Sequence, residues 1–303
     1  MARKTTRRDF IKTGAVIGAA GFWTSRSAPL WSAPKSPNDK LNIGIIGAGG
    51  KGYSDMRAVS SENIIALCDP DEKRSAKARK ENPQAKKYHD FRVMLEKEKT
   101  LDAVTVSTPD HNHAPAAVMA MRMGLHVFVQ KPLTWSVTEA RVMKQVAREM
   151  KVATQMGNQG TSTSGLRRGA EVIQAGAIGA VHEAHVWTNC PVWPQGINTK
   201  RPKGYKTPPA SLKWDVWLGP AKWRPYNDGY CPFDWRGWWD FGTGPLGDMA
   251  CHTANLAFMA LNLTVPTKVE VVRAEGLNPE TAPDSTTLLL HYPAHEGRPP
   301  VRR

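Results

Sequence analysis

The sequence has few cysteines, only four in 303 residues. Cys68, Cys190, Cys231 and Cys251 show neither the paired spacing of a structural zinc site nor the density of a disulfide scaffold. The chain is therefore not a small disulfide-stapled fold, and we predict no metal site. Its length and its 41% hydrophobic residues allow a sizeable core and favour two domains over one.

Long apolar runs are also lacking. The stretch TGAVIGAAGFW at residues 13–23 is far shorter than the roughly 20 residues of a membrane-spanning helix, and no later segment is predicted to cross a membrane. Ahead of it, TRRDFIK at residues 6–12 resembles a twin-arginine export signal. We therefore predict that residues 1–40 are a signal and linker, cleaved near Ser27 or retained as an anchor, although a basic disordered tail is the alternative.

This export route carries folded proteins, so it bears on where the protein acts. We expect the twin-arginine machinery to deliver the chain to the periplasm, already folded around a tightly bound cofactor.

A nucleic-acid-binding signature is missing despite a formal net charge of +14. Residues 1–40 hold eight Lys/Arg and two Asp/Glu, so the rest of the chain carries only a diffuse +8. No helix-turn-helix, zinc-finger or RNA-binding motif accompanies it. We therefore expect no nucleic-acid partner.

A glycine-rich loop follows the first apolar strand, in the sequence LNIGIIGAGGKG. Its G-x-G-x-x-G spacing provides a tight turn, close approach of the backbone to a pyrophosphate, and close packing of the following helix. The predicted cofactor-binding residues of this loop are Gly47, Gly49, Gly50, Lys51 and Gly52.

An acidic residue follows at the distance that dinucleotide binding requires. Asp69 ends the apolar strand NIIALCD, where its carboxylate can accept hydrogen bonds from the adenosine ribose hydroxyls. This charge favours NAD because it would repel a 2′-phosphate, whereas the nearby Lys73 and Arg74 keep NADP open. A glycine-rich turn with an incidental aspartate is the alternative.

Strands and helices then alternate to about residue 158, with strands predicted at 101–109, 126–132 and 152–158. Alternation of this kind predicts an α/β fold: a Rossmann-type parallel sheet domain over residues 41–158, with ligands at the carboxyl ends of its strands. Thr108 and Pro109 end one strand and Lys131 ends another. We therefore place all three at the cofactor cleft.

Three motifs together resemble the Gfo/Idh/MocA oxidoreductase family: GAGGKG at 47–52, STPDHNH at 107–113 and QKP at 130–132. The resemblance covers most of residues 41–303. It implies a nicotinamide cofactor, a cofactor-site role for His113, and a homo-oligomer. The family's third motif is Glu-Lys-Pro, whereas this chain has Gln130, which can hydrogen-bond a nicotinamide ribose but brings no negative charge to Lys131.

The alternation stops after residue 158, which predicts a second, α+β domain over residues 159–303 with a largely antiparallel sheet. We predict a helix at 165–176 and strands at 180–189, 268–276 and 285–293. The sequence stops where a further strand is predicted to begin, which suggests a truncated domain.

Asp248 and His252 lie four residues apart in a predicted helix, on one face. This spacing resembles the family's active-site Asp and His. With Lys131 they form the predicted catalytic group: His252 as base, Lys131 stabilising the alkoxide, and Asp248 orienting His252 or gripping a hydroxyl. The alternatives are Lys131 as the base, or His252 as a packed core residue.

Aromatic residues are concentrated between residues 187 and 239, which hold eight of the eleven tryptophans. Aromatic faces stack on sugar rings, so we predict that Trp193, Trp235 and Trp238, with Arg236, contact a carbohydrate. Many of the other rings must belong to the core. The tryptophan-rich half also resembles the exported branch of the family, which acts on sugars or their derivatives.

These features predict an NAD(P)-dependent oxidoreductase that transfers a hydride between nicotinamide and a hydroxyl-bearing carbon of a sugar, polyol or derivative. One alternative is an NAD-dependent glycosidase that works by transient oxidation and elimination. The other is a non-catalytic protein that only holds the cofactor.

Overall fold

A computed structural model describes residues 39–190, 193–295 and 298–302. The predicted export signal at residues 6–12 lies outside these ranges. Lys40–Arg303 forms one compact unit. Within the described ranges, no helix has the length and apolar character needed to cross a membrane.

The first half of this unit is built on a six-stranded parallel sheet. Its strands are β1 (Asn42–Ile46), β2 (Asn63–Cys68), β3 (Lys86–Tyr88), β4 (Ala103–Val106), β5 (His126–Gln130) and β6 (Thr154–Gly157). They are ordered β3-β2-β1-β4-β5-β6, the arrangement of a dinucleotide-binding sheet. The α/β fold predicted from alternating segments is confirmed.

Helices connect these strands and cover both faces of the sheet. They are α1 (Lys51–Ala58), α2 (Glu72–Glu81), α3 (Phe91–Lys97), α4 (His113–Arg122) and α5 (Val137–Met150). In α4, Ala116, Ala117 and Ala120 are fully buried, and their small side chains let the helix lie close to the strands. α5 begins at a capping box in which Ser136 and Glu139 exchange side-chain and backbone hydrogen bonds.

The second half combines helices, a long irregular connection and a small sheet. Its elements are α6 (Ser164–Gln174), α7 (Trp214–Leu218), α8 (Gly244–Thr253), α9 (Asn255–Ala260), β7 (Lys268–Glu275), β8 (Ser285–Tyr292) and β9 (Val301–Arg302). The strands pair antiparallel in the order β7-β8-β9. The predicted antiparallel sheet is therefore confirmed.

An aromatic cluster forms the core beside α7. Trp214 stacks on Trp217 with ring centroids 5.0 Å apart, and Phe241 is fully buried against both. Because regular structure is sparse between α6 and α8, these rings supply the apolar burial that holds the irregular connection in place.

The strand predicted at 180–189 is wrong. Among the residues that the structure describes, its backbone meets a partner only around the bridge between Glu183 and Arg302. There the amide of Ala184 donates to Arg302 O and the amide of Arg302 donates to His182 O. β9, the strand it faces, is two residues long. An alternating apolar pattern forms a strand only when a partner runs beside it, and this segment has one at a single point.

Candidate active site

The glycine loop joins β1 to α1, and its shape depends on having no side chains. Gly47 has φ +82°, and a Cβ there would lie 2.6 Å from the carbonyl oxygen of Ser107. A Cβ on Gly52 would lie 1.7 Å from Gly47 O. No side chain caps the N-terminus of α1 at Gly50. The loop therefore leaves backbone amides at a positive helix end, which fits the diphosphate of a dinucleotide.

Asp69 follows β2 and is tied to this loop. Its Oδ2 accepts from the amides of Ala48 and Gly49 at 2.9 and 3.0 Å, and its Oδ1 accepts from the amide of Asp71 at 2.9 Å. Burial raises the pKa of Asp69 and these backbone hydrogen bonds oppose the rise. The carboxyl group thus shapes the loop and also lines the cleft.

Arg74, in the first turn of α2, approaches the same loop. A Cβ on Gly50 would lie 2.6 Å from its Nη2, and its side chain lines the cleft near Asp69. This end of the cleft therefore presents both a carboxylate and a guanidinium.

The STPDHNH motif continues from β4 and joins the two halves. Thr108 and Pro109 line the cleft. The ring of His111 lies 3.2 Å from the backbone oxygens of both Trp217 and Phe241. The motif therefore anchors the aromatic core to the parallel sheet.

His113, predicted to be a cofactor-site residue, lies behind the wall of the cleft. Its ring nitrogens lie 2.7 Å from Pro132 O and 2.8 Å from Thr108 O, so it connects the segments that follow β4 and β5. Burial lowers its pKa to about 4. It is not among the side chains that line the cleft, and it supports Thr108 from behind.

Lys131 and Asp248 meet across the cleft. The Lys131 ammonium donates to Asp248 Oδ1 at 2.5 Å and to Asp248 O at 2.8 Å, with both side chains about one-seventh exposed. Arg236 Nε lies 3.6 Å from the same Oδ1. The end of β5 is thereby joined to α8, and two of the three residues of the predicted catalytic group are in contact.

His252 lies one turn after Asp248 on α8 but forms no hydrogen bond with it among the described residues. Burial and the Lys131 charge lower the pKa of His252, whereas Asp248 opposes that effect. A neutral imidazole can accept a proton. The predicted role of Asp248 in orienting His252 is not seen in these contacts, because its carboxylate faces Lys131 and Arg236 instead.

Asp110 is a site residue that the sequence analysis missed. It is 3% exposed, lines the cleft, and accepts on Oδ2 from the Thr243 amide at 3.1 Å and from Thr243 Oγ1 at 2.7 Å. Its Oδ1 makes no hydrogen bond within the described chain. Burial raises the pKa of Asp110 to about 7, Thr243 and the Lys131 and Arg236 charges oppose this, and Asp248 adds to it. Its place directly after Pro109 was the available signal.

A second missed residue is Asp55 on α1. It is 7% exposed and lies beneath the cleft floor, where Gln130 Nε2 donates to its Oδ2 at 2.9 Å and Ser107 Oγ donates to the same atom at 2.8 Å. The predicted cofactor residue Lys51 also forms an ion pair with it. Lys51 lies four residues before Asp55 on the same helix, but no sequence spacing connects Asp55 with Ser107 or Gln130, which meet it only when three elements pack together.

The predicted substrate residues divide into two groups. Trp235 and Arg236 line the cleft, and the guanidinium lies 4.3 Å from the indole centroid. Trp193 and Trp238 are buried, and their indole nitrogens donate to Gln195 Oε1 and Gly229 O. These two rings pack the protein interior, and Trp217 lines the cleft instead.

Residues before α7 close the cleft near Asp69. The amide of Glu72 donates to Ser211 O and the amide of Lys213 donates to Pro70 O, both at 2.9 Å, around a bridge between Asp71 and Leu212. The cleft encloses about 1110 Å³, including the part open to solvent. It runs from the glycine loop to Lys131 and Asp248, with Leu212 and Trp217 on the opposite wall.

Residues 41–158 match the description "Oxidoreductase family, NAD-binding Rossmann fold", and residues 172–286 match "Oxidoreductase family, C-terminal alpha/beta domain". The chain belongs to the Gfo/Idh/MocA family. The glycine loop, Asp69 and Lys131 thus occupy the NAD-binding fold of an oxidoreductase family, and the predicted family membership is confirmed.

Two curated relatives with different names match parts of the chain. A glycosyl hydrolase family 109 protein of Solibacter usitatus is 34% identical over 152 residues, which are 45% of this chain and 35% of that protein. Inositol 2-dehydrogenase 2 of Saccharopolyspora erythraea is 31% identical over 153 residues, or 48% and 45% of the two chains. The chain thus spans less than half the length of these curated relatives.

Solved structures share the fold across most of the chain. The structure of GenD2 from gentamicin A biosynthesis, in complex with NAD, matches 90% of this chain and 67% of its own, with a TM-score of 0.64 and 18% identity. An inositol dehydrogenase homolog from Azotobacter vinelandii, complexed with NADH and myo-inositol, matches 88% of this chain and 63% of its own, with a TM-score of 0.60 and 19% identity. At these identities the likeness shows the fold alone.

Proposed function

We propose that this protein is an NAD(P)-dependent oxidoreductase that transfers a hydride between nicotinamide and the hydroxyl-bearing carbon of a sugar, polyol or sugar derivative. The observation that carries the proposal is the contact between Lys131 and Asp248 at the end of a cleft that begins at the glycine loop. A cation and a carboxylate with little exposure, placed at the carboxyl end of β5, are in position to bind a hydroxyl group.

The residues present fit a bound dinucleotide. The glycine loop and the N-terminus of α1 would hold the diphosphate, Asp69 the adenosine ribose, and Thr108, Pro109 and Gln130 the nicotinamide end. When bound, the nicotinamide would supply the hydride acceptor. NAD is the cofactor that we propose, and Arg74 leaves NADP as the alternative.

The residues around Lys131 would bind the substrate hydroxyl and accept its proton. An ammonium has three N–H donors, and Lys131 gives two hydrogen bonds to Asp248. The remaining donor can stabilise the substrate oxygen as its hydroxyl proton leaves. We assign the base to His252, since burial and Lys131 favour its neutral form. Asp110 lines the cleft, and burial raises its pKa to about 7, so it is a second group that changes protonation near neutral pH.

A glycosidase reaction is the second candidate, and the 34% identity to a glycosyl hydrolase family 109 protein favours it. Transient oxidation and elimination would need the same hydroxyl site plus a group that gives a proton to the leaving oxygen. Asp110, protonated at and below about pH 7, has the chemistry for that second step.

One experiment separates these functions. The purified protein is tested for bound nucleotide by absorbance and is then mixed with a panel of sugars, polyols and aryl glycosides. A net gain of reduced nicotinamide with a free sugar supports the dehydrogenase. Aryl release without net reduction supports the glycosidase. Absence of bound or bindable NAD(P) would rule out both enzymes, and binding without turnover on the whole panel would indicate a cofactor-holding protein.

We also propose that the protein is exported through the twin-arginine route and acts in the periplasm. The proposal rests on the sequence at residues 6–12. Replacing both Arg7 and Arg8 with lysine keeps the charge but removes the paired guanidinium groups. We expect the variant to accumulate in the cytoplasm on fractionation, and equal export of variant and parent would contradict the proposal.

A homo-oligomer is proposed from exposed valines on β7 of the antiparallel sheet. Val269, Val271 and Val272 of β7 are each more than half exposed. Exposed apolar side chains grouped on one strand commonly mark an interface. Light scattering should give a mass at least twice that of the chain, and Val271→Lys should lower it. A monomer at all concentrations would rule this out.

A further inference from the structure

Three donors from three elements converge on the buried carboxylate of Asp55. Lys51 reaches it from the preceding turn of α1, Ser107 from the end of β4, and Gln130 from the end of β5. Lys51, Ser107 and Gln130 all line the cleft, whereas Asp55 lies beneath them. The carboxylate therefore holds together the floor of the proposed cofactor site from below.

The hydrogen bond between Gln130 and Asp55 has a fixed polarity. Asp55 can only accept, so the amide nitrogen of Gln130 must face it. The other end of the amide, Oε1, then faces the Lys131 amide at 3.3 Å. Gln130 is 4% exposed, and a Cβ added to Gly157 of the neighbouring β6 would lie 2.6 Å from its Nε2. The amide is therefore confined from two sides and cannot turn without losing its partner.

We propose that Asp55 is a positioning residue that fixes Gln130, and through it the start of the Lys131 segment, for cofactor binding. The floor of the cleft then requires an amide at one of positions 55 and 130 and a carboxylate at the other, in either order. The inference rests on the proposed function only in naming a nicotinamide dinucleotide as the ligand of this floor.

The polarity of the pair can be tested by exchanging its two members. Gln130→Glu alone would place two carboxylates at 2.9 Å spacing in a buried site. We expect at least about a tenfold loss of NAD affinity by calorimetry and a lower melting temperature of the ligand-free protein, because a donor is lost and like charges are buried together. Asp55→Asn combined with Gln130→Glu restores one amide and one carboxylate, and should return affinity to within about threefold of the parent.

Gln155→Glu is the matched control. Gln155 is exposed on β6, next to β5, and the change adds the same charge without a carboxylate partner. Its affinity and melting temperature should stay at the parental values.

Two results would overturn the inference: Gln130→Glu behaving like Gln155→Glu, or the double variant being no better than Gln130→Glu. If Gln130→Glu does not fold, folding of the double variant is the same rescue measured as stability. The melting temperatures of the ligand-free proteins test the exchange of amide and carboxylate even if the parent binds no NAD. A parent that binds no NAD would contradict the proposed function but not the pairing of Asp55 with Gln130.

Discussion

At the scale of the residue, Lys131 shows how burial selects a partner for a charge. An ammonium at the end of a buried strand is costly unless it is paired, and Asp248 pairs with it from α8. The sequence placed both residues in one predicted catalytic group but gave Asp248 the task of orienting His252 or gripping a hydroxyl. The ion pair between Lys131 and Asp248 is a finding of the structure.

Replacing Lys131 with glutamine tests this role. We expect turnover to fall by roughly 100- to 1000-fold, as for the loss of a donor that stabilises a developing negative charge. Nucleotide affinity, measured separately, should change much less. Lys144→Gln, at an exposed position of α5, is the control and should leave both quantities unchanged. Turnover within a few-fold of the parent would remove Lys131 from the mechanism.

Asp110 gives a prediction about pH and stability. Burial raises its pKa from 3.8 to about 7, so the folded protein binds this proton more tightly than the unfolded chain. Its stabilising contribution is full below about pH 4 and is lost as pH rises through about 7. Asp110→Asn resembles the protonated form, so it should gain stability relative to the parent as pH rises, by roughly 2–4 kcal/mol at pH 8.

Denaturant unfolding of both proteins at several pH values measures this difference. His111 and His113 are present in both proteins, so their own titration cancels to first order. A stability difference that is flat between pH 4 and pH 8 would show that Asp110 has an ordinary carboxyl group.

The residues that escaped the sequence analysis share a cause. Asp69, Lys131 and Asp248 stand in motifs with known spacing, whereas Asp55 and Asp110 gain their significance from packing. Asp55 is defined by donors 52 and 75 residues away in the chain. The contacts of Asp55 with Ser107 and Gln130, and of Asp110 with Thr243, join residues far apart in the chain and leave no periodic pattern in the sequence.

At the scale of the element, the turn from β1 into α1 is packed too closely to accept a side chain at Gly52. Gly52→Ala would place a Cβ 1.7 Å from Gly47 O, so the first turn of α1 must move away from the loop. We expect a destabilisation of roughly 1–3 kcal/mol, typical of overpacking, together with a large loss of nucleotide affinity. Thermal unfolding and calorimetry measure the two effects.

Gly165→Ala is the control for this change. A Cβ at Gly165 in α6 meets nothing within 4 Å, and alanine is the better helix former, so stability should be unchanged or rise by up to about 1 kcal/mol. Equal effects of the two substitutions would show that the loop is not constrained as described.

The elements predicted well are those whose pattern and partners agree. The buried strands of the parallel sheet were apparent because each is followed by a helix that carries the chain to the next strand. β3 was not predicted, because its three residues, two lysines and a tyrosine, form neither an apolar run nor an alternating pattern. The segment at 180–189 has a strand-like pattern but pairs at a single point within the described part of the chain, and a sequence pattern does not show how long the partner strand is.

At the scale of the whole molecule, nucleotide binding should stabilise the two halves together. A ligand at about 100 times its dissociation constant adds roughly 2.7 kcal/mol to the folded state. Because Asp69 is positioned to repel a 2′-phosphate, we expect NAD to raise the melting temperature more than NADP at equal concentration. A larger shift with NADP would indicate that Arg74 dominates this end of the cleft.

The backbone bridge between Asp71 and Leu212 bears on how long a cofactor stays bound. The bridge joins the segment after β2 to the segment before α7, beside Asp69. Lys131 lies at the end of β5, three strands away from β2 in the sheet. From this placement we infer that a dinucleotide held along that line would leave past Asp69 only when the bridge opens, whereas a substrate would enter and leave at the Lys131 end. The protein would then keep one cofactor through many catalytic cycles, and each hydride would have to be returned by a second substrate before the next cycle could begin.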